Sequence, residues 1–359
     1  MRASAYRVPT EVAEADGTLA WSATTIVVVQ AEVGDVLGLG WTYADGACAA
    51  LVHDVLAPVV EGGDGLDVPA AWLAMQRAIR NLGRPGLVSC AMSAVEIALW
   101  DAAARLLGLP LCRLLGRVRE SVPVYGSGGF TSYDDQQLGE QLQRWVFDQE
   151  LAAVKIKIGA GWGSRADRDL ERVDLAREMI GSRAELYVDA NGAYGTGQAV
   201  RIGRRLDERE VLWFEEPVSS DDLSGLRRVR EAVGADVAAG EYGYHLPYFA
   251  AMLEAEAVDC LQADVTRCGG FGEWLRAAAV AAARNREMSS HCAQNLAAHV
   301  AMATANVRHL EGFHDHDRIE RMFFDGTLDP AGGEVRVDMS GTGHGMTFKE
   351  VDAERFRVS

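Results

Sequence analysis

No GxGxxG or GxxxxGK(S/T) loop occurs in the 359 residues, so the sequence gives nucleotide chemistry no support. An excess of positive charge is also missing. The formal net charge of −17 repels nucleic acid and anionic membrane surfaces, and neither is an expected partner. The six cysteines (Cys48, Cys90, Cys112, Cys260, Cys268, Cys292) form no CxxC pair and no small-scaffold spacing, which argues against a disulfide framework and favours reduced, buried thiols. The stretch MRASAYRVPTEVAEADG lacks the apolar centre of a secretory signal, and no run reads as long enough to cross a bilayer, so a soluble cytoplasmic protein is expected. There is no low-complexity linker.

What the sequence does contain is a set of short apolar runs that end in charge. VKIKIG (154 to 159), LYVDAN (186 to 191), LWFEEP (212 to 217) and VAAGEYG (237 to 243) follow one another, and Asp189, Glu215 and Glu241 are spaced at equal intervals of 26 residues. That interval is one strand plus one helix. A strand puts alternate residues on one face, so Lys155 and Lys157 point the same way and both ammonium groups can enter one cavity. Three carboxylates at the C-terminal ends of successive parallel strands crowd together at a barrel mouth, where their repulsion demands a positive partner. All-oxygen ligation favours one hard divalent cation, Mg²⁺ above others, because it keeps positions open for water or substrate oxygens.

The chain is long enough for an α/β barrel and a further domain. TTIVVVQ (24 to 30) and VLGLGWTY (36 to 43) predict an antiparallel hairpin. Helices are expected near 47–56, 70–82 and 93–107, the last with a capping-box pattern from Ser93 to Glu96. From Val122 eight apolar runs alternate with helical segments, at 122–127, 153–158, 185–190, 211–216, 236–240, 258–263, 287–290 and 307–311. Such alternation predicts a closed (β/α)8-type barrel over 121–317, carrying the site. Residues 1–120 are expected to form an α+β capping domain completed by the tail, 318–359.

The remaining strand ends are polar as well. Asp264 ends the sixth run, with Arg267 just beyond it, and His291 ends the seventh, so the Asp264 carboxylate can hold one imidazole nitrogen and leave the other free as a base. Glu311 ends the eighth run, where repulsion from the acids is expected to raise its pKa and make it a neutral donor. Asn191 and Glu216 stand beside the metal candidates and are expected to orient ligands. His53, His245, His299, His309 and His344 read as structural. The His314 and His316 pair lies after the last strand, away from the acids.

The set KIK, VDAN, EEP, GE, Asp264 with MSSH, and HLE, together with SAVEIALWDAAARLLGLPLCRLLG, resembles the mandelate racemase subgroup of the enolase superfamily, within the mandelate racemase and muconate lactonizing enzyme family. The resemblance covers nearly the whole chain. It implies a capping domain over a modified TIM barrel, one Mg²⁺ per site held by Asp189, Glu215 and Glu241, and a symmetric homo-oligomer. It further implies that Lys157 is one base, that His291 with Asp264 is the other, that Lys155 contacts a substrate carboxylate and that Glu311 hydrogen-bonds the developing enolate. Arg267 falls where the mandelate racemase pattern has a lysine.

Removing a proton next to a carboxylate creates a dianionic enediolate, which Mg²⁺, Lys155 and Glu311 are suited to stabilise. For Lys157 to act as a base its pKa must fall, and Lys155 and the metal are expected to lower it. The resemblance implies dehydration of a small-molecule sugar acid to a 2-keto-3-deoxy acid as the favoured outcome. Racemisation or epimerisation of a 2-hydroxy acid is the alternative. A metal-dependent hydrolase and a non-catalytic barrel fit less well, because the first strand ends VYGSGG without an HxH and no polar strand end is missing. Substrate selectivity is expected in the capping loop from Glu14 to Thr24, which offers Trp21 but no lysine or arginine. Trp41, Tyr43 and Trp162 read equally as pocket or core.

Overall fold

The computed structural model describes residues 1–359. The chain opens with a three-stranded antiparallel meander, β1 (Arg2–Ala15), β2 (Ala20–Val33) and β3 (Val36–Tyr43). The sequence predicts β2 and β3 and misses β1, whose alternation is broken by Pro9 and by the polar run that follows. The pairing of β1 with β2 is irregular there too, with Pro9 opposite Ala23 and the register resuming only at Glu14 opposite Trp21.

The segment from Glu14 to Thr24 is therefore a hairpin end and not an open loop. Its turn is held by Asp16, whose Oδ1 accepts hydrogen bonds from the Thr18 and Leu19 amides at 2.5 and 2.7 Å. The turn is docked on the barrel. The Gly17 carbonyl accepts from the Trp162 amide at 2.9 Å and the Ala15 carbonyl from the Thr131 amide at 2.7 Å. A Cβ on Gly17 would stand 2.8 Å from the carbonyl oxygens of Ile158 and Ala190, so only glycine allows this approach.

Behind the meander lies the helix Leu87–Leu106. It approaches β3 backbone to backbone, since a Cβ on Gly38 or Gly40 would meet the Ala98 or Ala94 carbonyl at 2.1 or 2.3 Å. The alanine-rich face and the two strand glycines are one packing solution. Two expectations change here. The helix starts at Leu87, not at Ser93, because Ser93 sits within it and donates back to the Ser89 carbonyl at 2.8 Å. The helix is also long and apolar enough to cross a bilayer, contrary to the sequence reading, but it is a core helix with most of its residues buried.

Glu96 caps a different helix. Its carboxylate, 2 % exposed, accepts from the amides of Phe271 and Gly272 at 2.8 Å each, at the start of the barrel helix Phe271–Ala282, and from the Trp100 indole at 2.9 Å. This satisfies orphan donors at a positive helix end with a carboxylate from another layer.

The barrel has eight parallel strands, β4 (Val122–Gly128), β5 (Ala153–Lys157), β6 (Glu185–Asp189), β7 (Val211–Glu215), β8 (Asp236–Ala239), β9 (Cys260–Ala263), β10 (Glu287–Ser290) and β11 (Val307–Phe313). All eight predicted runs are strands, and β11 pairs with β4 to close the ring. The segment Glu334–Val335 adds to β4 in antiparallel sense.

Residues after the barrel pack on the meander. Tyr6 meets Phe323 and Phe348 edge-on at 5.4 and 5.7 Å, and Trp41 stacks on Phe324 at 4.3 Å. Trp41 is fully buried, and Tyr43 stacks on His316, so both are core and not pocket. All six cysteines are buried and unpaired.

Glu96→Ala leaves two amides of the barrel helix and one indole without their acceptor. A loss of about 3 kcal/mol is expected, read as a lower denaturant midpoint at unchanged slope. An unaltered midpoint would show that the bridge between layers contributes nothing.

Candidate active site

The register of the barrel sets the site. Lys157 pairs with Asp189 and Asp189 with Glu215, so their side chains enter the barrel mouth at one level. Glu241 follows β8 through Gly240. The ligand atoms of Asp189, Glu215 and Glu241 all lie within 4.8 Å of one another, and all three residues are buried.

Each carboxylate is oriented by a fixed donor or cation. Asp189 Oδ1 accepts from the Asn191 amide at 2.8 Å, Glu215 Oε2 from the Trp213 indole at 2.9 Å, and Glu241 Oε1 lies 3.6 Å from Arg267. The backbone of Asn191, not its carboxamide, thus does the orienting. Its Oδ1 is buried without a partner, as is Glu216 Oε1. Asn191 and Glu216 both adopt left-handed backbone, with φ of 46° and 35°.

The two lysines are drawn onto the acids. Lys155 Nζ donates to Glu215 at 2.6 Å and lies 2.8 Å from Glu311 Oε1 and 3.8 Å from Asp189. Below it the Tyr125 hydroxyl accepts at 3.3 Å. Lys157 donates to Asp189 Oδ2.

These contacts reverse the expectation for Glu311 and bear on that for Lys157. Burial alone would lower the pKa of Lys157, but Asp189 against its ammonium outweighs both burial and repulsion from Lys155, so the protein's own groups raise it, and the expected lowering rests on the divalent ion that Asp189 would hold. Burial alone would raise Glu311, but the Lys155 ammonium, with His291 and Lys157, holds it well below the usual range. The sequence reading placed Glu311 among anions, whereas its charged partner within hydrogen-bond distance is a cation. Glu311 is further held by the Ser127 hydroxyl at 2.6 Å and the Cys292 amide at 2.7 Å. It is an anchored carboxylate and not a neutral donor.

Across the mouth, His291 Nδ1 lies 2.8 Å from Asp264 Oδ2, and Nε2 lies 3.2 Å from Glu241 Oε2. Asp264 Oδ1 accepts from the amide and hydroxyl of Thr266, both at 2.7 Å, which fixes the carboxylate and with it the imidazole. Burial opposes charge on Asp264, yet the His291 bond, with help from Arg267, brings its pKa below the ordinary value. Arg267 lies 3.4 Å from Asp264 and hydrogen-bonds the Glu241 carbonyl at 3.4 Å. Its charge is spent inside the site.

Tyr125, Ser127, Thr266 and Cys292 were not singled out by sequence. The alternation of β4 places Tyr125 and Ser127 on one face, the only signal that could have found them. His314 and His316 hold no site together: His316 is stacked on Tyr43, and burial depresses it to about 3.

Trp21 stands apart from the carboxylates. Its indole donates to Glu14 at 2.9 Å and its edge meets Phe130 at 5.5 Å, which meets Phe313 at 5.8 Å, whose ring lies 5.9 Å from Lys157 Nζ. Trp21 therefore reaches the mouth only through two phenylalanines.

The donor set fits a divalent cation. Three converging carboxylates are all-oxygen ligands, and Glu241 Oε2 is buried with no hydrogen-bond partner. The arrangement as a whole can bind an anion near Lys155 and offer proton-transfer groups on two sides, Lys157 beside Asp189 and His291 beside Glu241.

Residues 4–116 match the mandelate racemase/muconate lactonizing enzyme N-terminal domain, and residues 137–352 match the enolase C-terminal domain-like family. A mandelate racemase/muconate lactonizing enzyme-like protein from Rubrobacter xylanophilus superposes with a TM-score of 0.96 at 47% identity, covering 99% of this chain and 98% of that one. A racemase from Streptomyces coelicolor A3(2), solved with bound magnesium, superposes with a TM-score of 0.93 at 29% identity over 99% of both chains. L-talarate/galactarate dehydratase of Salmonella typhimurium is 29% identical over 289 residues, 78% of this chain and 71% of its own.

Adding Mg²⁺ should raise thermal stability, by about 2.7 kcal/mol at a hundredfold excess over Kd, and Glu241→Gln should weaken the ion at least tenfold by calorimetry. No heat of binding in the unaltered protein would remove the metal from this site. A second outcome concerns Glu14, whose pKa burial and then Asp315 push up to about 8. Its folded state holds a proton that the unfolded state releases from about pH 4.5, so stability falls as pH rises from there to about 8. Denaturation curves of Glu14→Gln should lack that decline, and an identical decline would exclude Glu14 as its source.

Proposed function

This chain belongs to the mandelate racemase/muconate lactonizing enzyme family of the enolase superfamily, and from that premise we propose that it is a magnesium-dependent lyase dehydrating a sugar acid to a 2-keto-3-deoxy acid. The observation that carries the reading is the pair of proton acceptors on opposite flanks of the carboxylate cluster, Lys157 on Asp189 and the Asp264-oriented His291 beside Glu241. A carboxylate substrate between them exposes its α-proton to one flank and its β-hydroxyl to the other.

Asp189, Glu215 and Glu241 would hold the Mg²⁺, whose positive charge would stabilise the substrate carboxylate as it gains electron density. Lys155 binds the same carboxylate by its ammonium. Its place among Glu215, Glu311 and Asp189 keeps that ammonium charged, since these anions outweigh burial. Glu311, braced by Ser127 and Cys292, holds Lys155.

Lys157, as the neutral amine, takes the Cα proton while His291 starts as the imidazolium, and the C–H pair moves into the carboxylate as an enediolate. That pair then returns to form the Cα–Cβ double bond while the Cβ–O bond breaks. The leaving hydroxide takes a proton from the imidazolium of His291 and departs as water. The enol gives up its C2 hydroxyl proton to water as it gains one at Cβ, and becomes the 2-keto-3-deoxy acid. Asp264 keeps Nδ1 of His291 engaged, so Nε2 is the nitrogen that exchanges protons with the substrate. A racemase would use the same two flanks, with the second group returning a proton to Cα.

The test is a library of sugar acids with Mg²⁺, assayed for 2-keto acid by semicarbazide absorbance and for α-proton exchange in D₂O by NMR. Keto acid is the expected product, and exchange without keto acid would replace the lyase by a racemase or epimerase. His291→Asn should lower turnover by about 10³-fold or more while Lys157 still exchanges the α-proton of one stereoisomer. Full activity in that variant would exclude His291 from the chemistry.

A further inference from the structure

Two chain neighbours, His291 and Cys292, meet where regular strand geometry would part them. Successive residues of a strand point to opposite faces. Here β10 has ended at Ser290, and Cys292 and Ala293 both adopt left-handed backbone, with φ of 46° and 48°. The turn folds the thiol back until Sγ lies 3.4 Å from His291 Nε2. Glu311 joins the pair from β11. One ligand atom from each of the three buried residues lies within 4.8 Å of the other two.

This donor set differs in kind from that of Asp189, Glu215 and Glu241. A thiolate, an imidazole and a carboxylate suit Zn²⁺ and similar thiophilic ions, whereas Mg²⁺ prefers oxygen alone. The spacing agrees, since Zn–S and Zn–N bonds at a tetrahedral angle hold sulfur and nitrogen about 3.5 Å apart. Asp264 engages Nδ1 at 2.8 Å and leaves Nε2 to face the thiol. A carboxylate behind the imidazole is the support that zinc-binding histidines use. Of the Glu311 oxygens, Oε1 is taken by Lys155 and Ser127, while Oε2 accepts from the Cys292 amide at 2.7 Å and keeps a second lone pair. Glu241 Oε2, 3.2 Å from Nε2 and without a hydrogen-bond partner, offers a fourth oxygen.

We infer that His291, Cys292 and Glu311 form a second metal site, adjoining the three-carboxylate cluster and selective for a thiophilic divalent ion, Zn²⁺ above Mg²⁺. The ion forms bonds to Sγ, Nε2 and a Glu311 oxygen. The thiol proton, with any proton on Nε2, passes to water. An ion bound there occupies the nitrogen that the lyase reading assigns to proton transfer, so under that reading Zn²⁺ is an inhibitor.

The test titrates Co²⁺, a coloured stand-in for Zn²⁺, into protein saturated with Mg²⁺. A single equivalent should bring up the near-ultraviolet thiolate-to-cobalt band, and Zn²⁺ should bleach it. Co²⁺ that displaced Mg²⁺ from the three carboxylates would give no such band, because that set contains no sulfur. Cys292→Ala should abolish the band, and His291→Asn should weaken Co²⁺ binding by about 10-fold or more. No band in the unaltered protein, a band that survives Cys292→Ala, or unchanged affinity in His291→Asn would overturn the inference. These readouts need no substrate, so a thiolate band in a protein that makes no keto acid from the sugar-acid library would leave the second site standing and overturn the lyase reading.

Discussion

Burial of like charge is the constraint on which this barrel depends. Asp189, Glu215, Glu241, Asp264 and Glu311 share a mouth from which water is excluded, and such a cluster is unstable unless cations stand within a few ångströms. Lys155, Lys157 and Arg267 meet that need, each between two elements of the ring. Lys155 spans from β5 to Glu215 and Glu311, and Arg267 joins the residues after β9 to those after β8. The ion pairs thus stitch neighbouring strand ends together while leaving Glu241 Oε2 without a donor. A divalent ion completes the same balance, which is why one set of residues can be both a structural tie and a place for chemistry.

The cap is fastened to that mouth by backbone more than by side chains. The hairpin turn at Asp16–Leu19 exchanges hydrogen bonds with Trp162 and Thr131, and Gly17 fits only because it lacks a side chain. On the other flank the cap helix Leu87–Leu106 sends Glu96 to the start of the barrel helix Phe271–Ala282, close after Arg267 in the chain. Both attachments end next to residues of the site, so the position of the cap and the geometry of the mouth are coupled through short, rigid paths.

Much of this was legible in the sequence because a charge that ends an apolar run is a local signal. The eight strands follow from that signal, even the short EMSS run, and the residues the equal spacing picks out are those whose carboxylates converge. What could not be read depends on contacts between distant segments. β1 is a strand because β2 pairs with it, not because of its own pattern. The motif from Ser93 to Glu96 has the form of a capping box but lies within a helix, since the residues before it, Ser89 to Met92, are themselves buried in helical conformation. The titration of Glu311 was misread because alternation shows which face a group is on, and only the folded ring shows that Lys155 reaches Glu311.

Tyr6 lies near the beginning of the chain, and its aromatic partners, Phe323 and Phe348, lie more than 300 residues later. Polypeptides emerge at roughly 5–20 residues per second. The apolar face of the first sheet that carries Tyr6 is therefore complete but uncovered for tens of seconds while the barrel is being made. During that interval it is a sticky edge in a crowded solution, and the acidic character of the chain, which repels other copies of itself, is the protection it carries from the start.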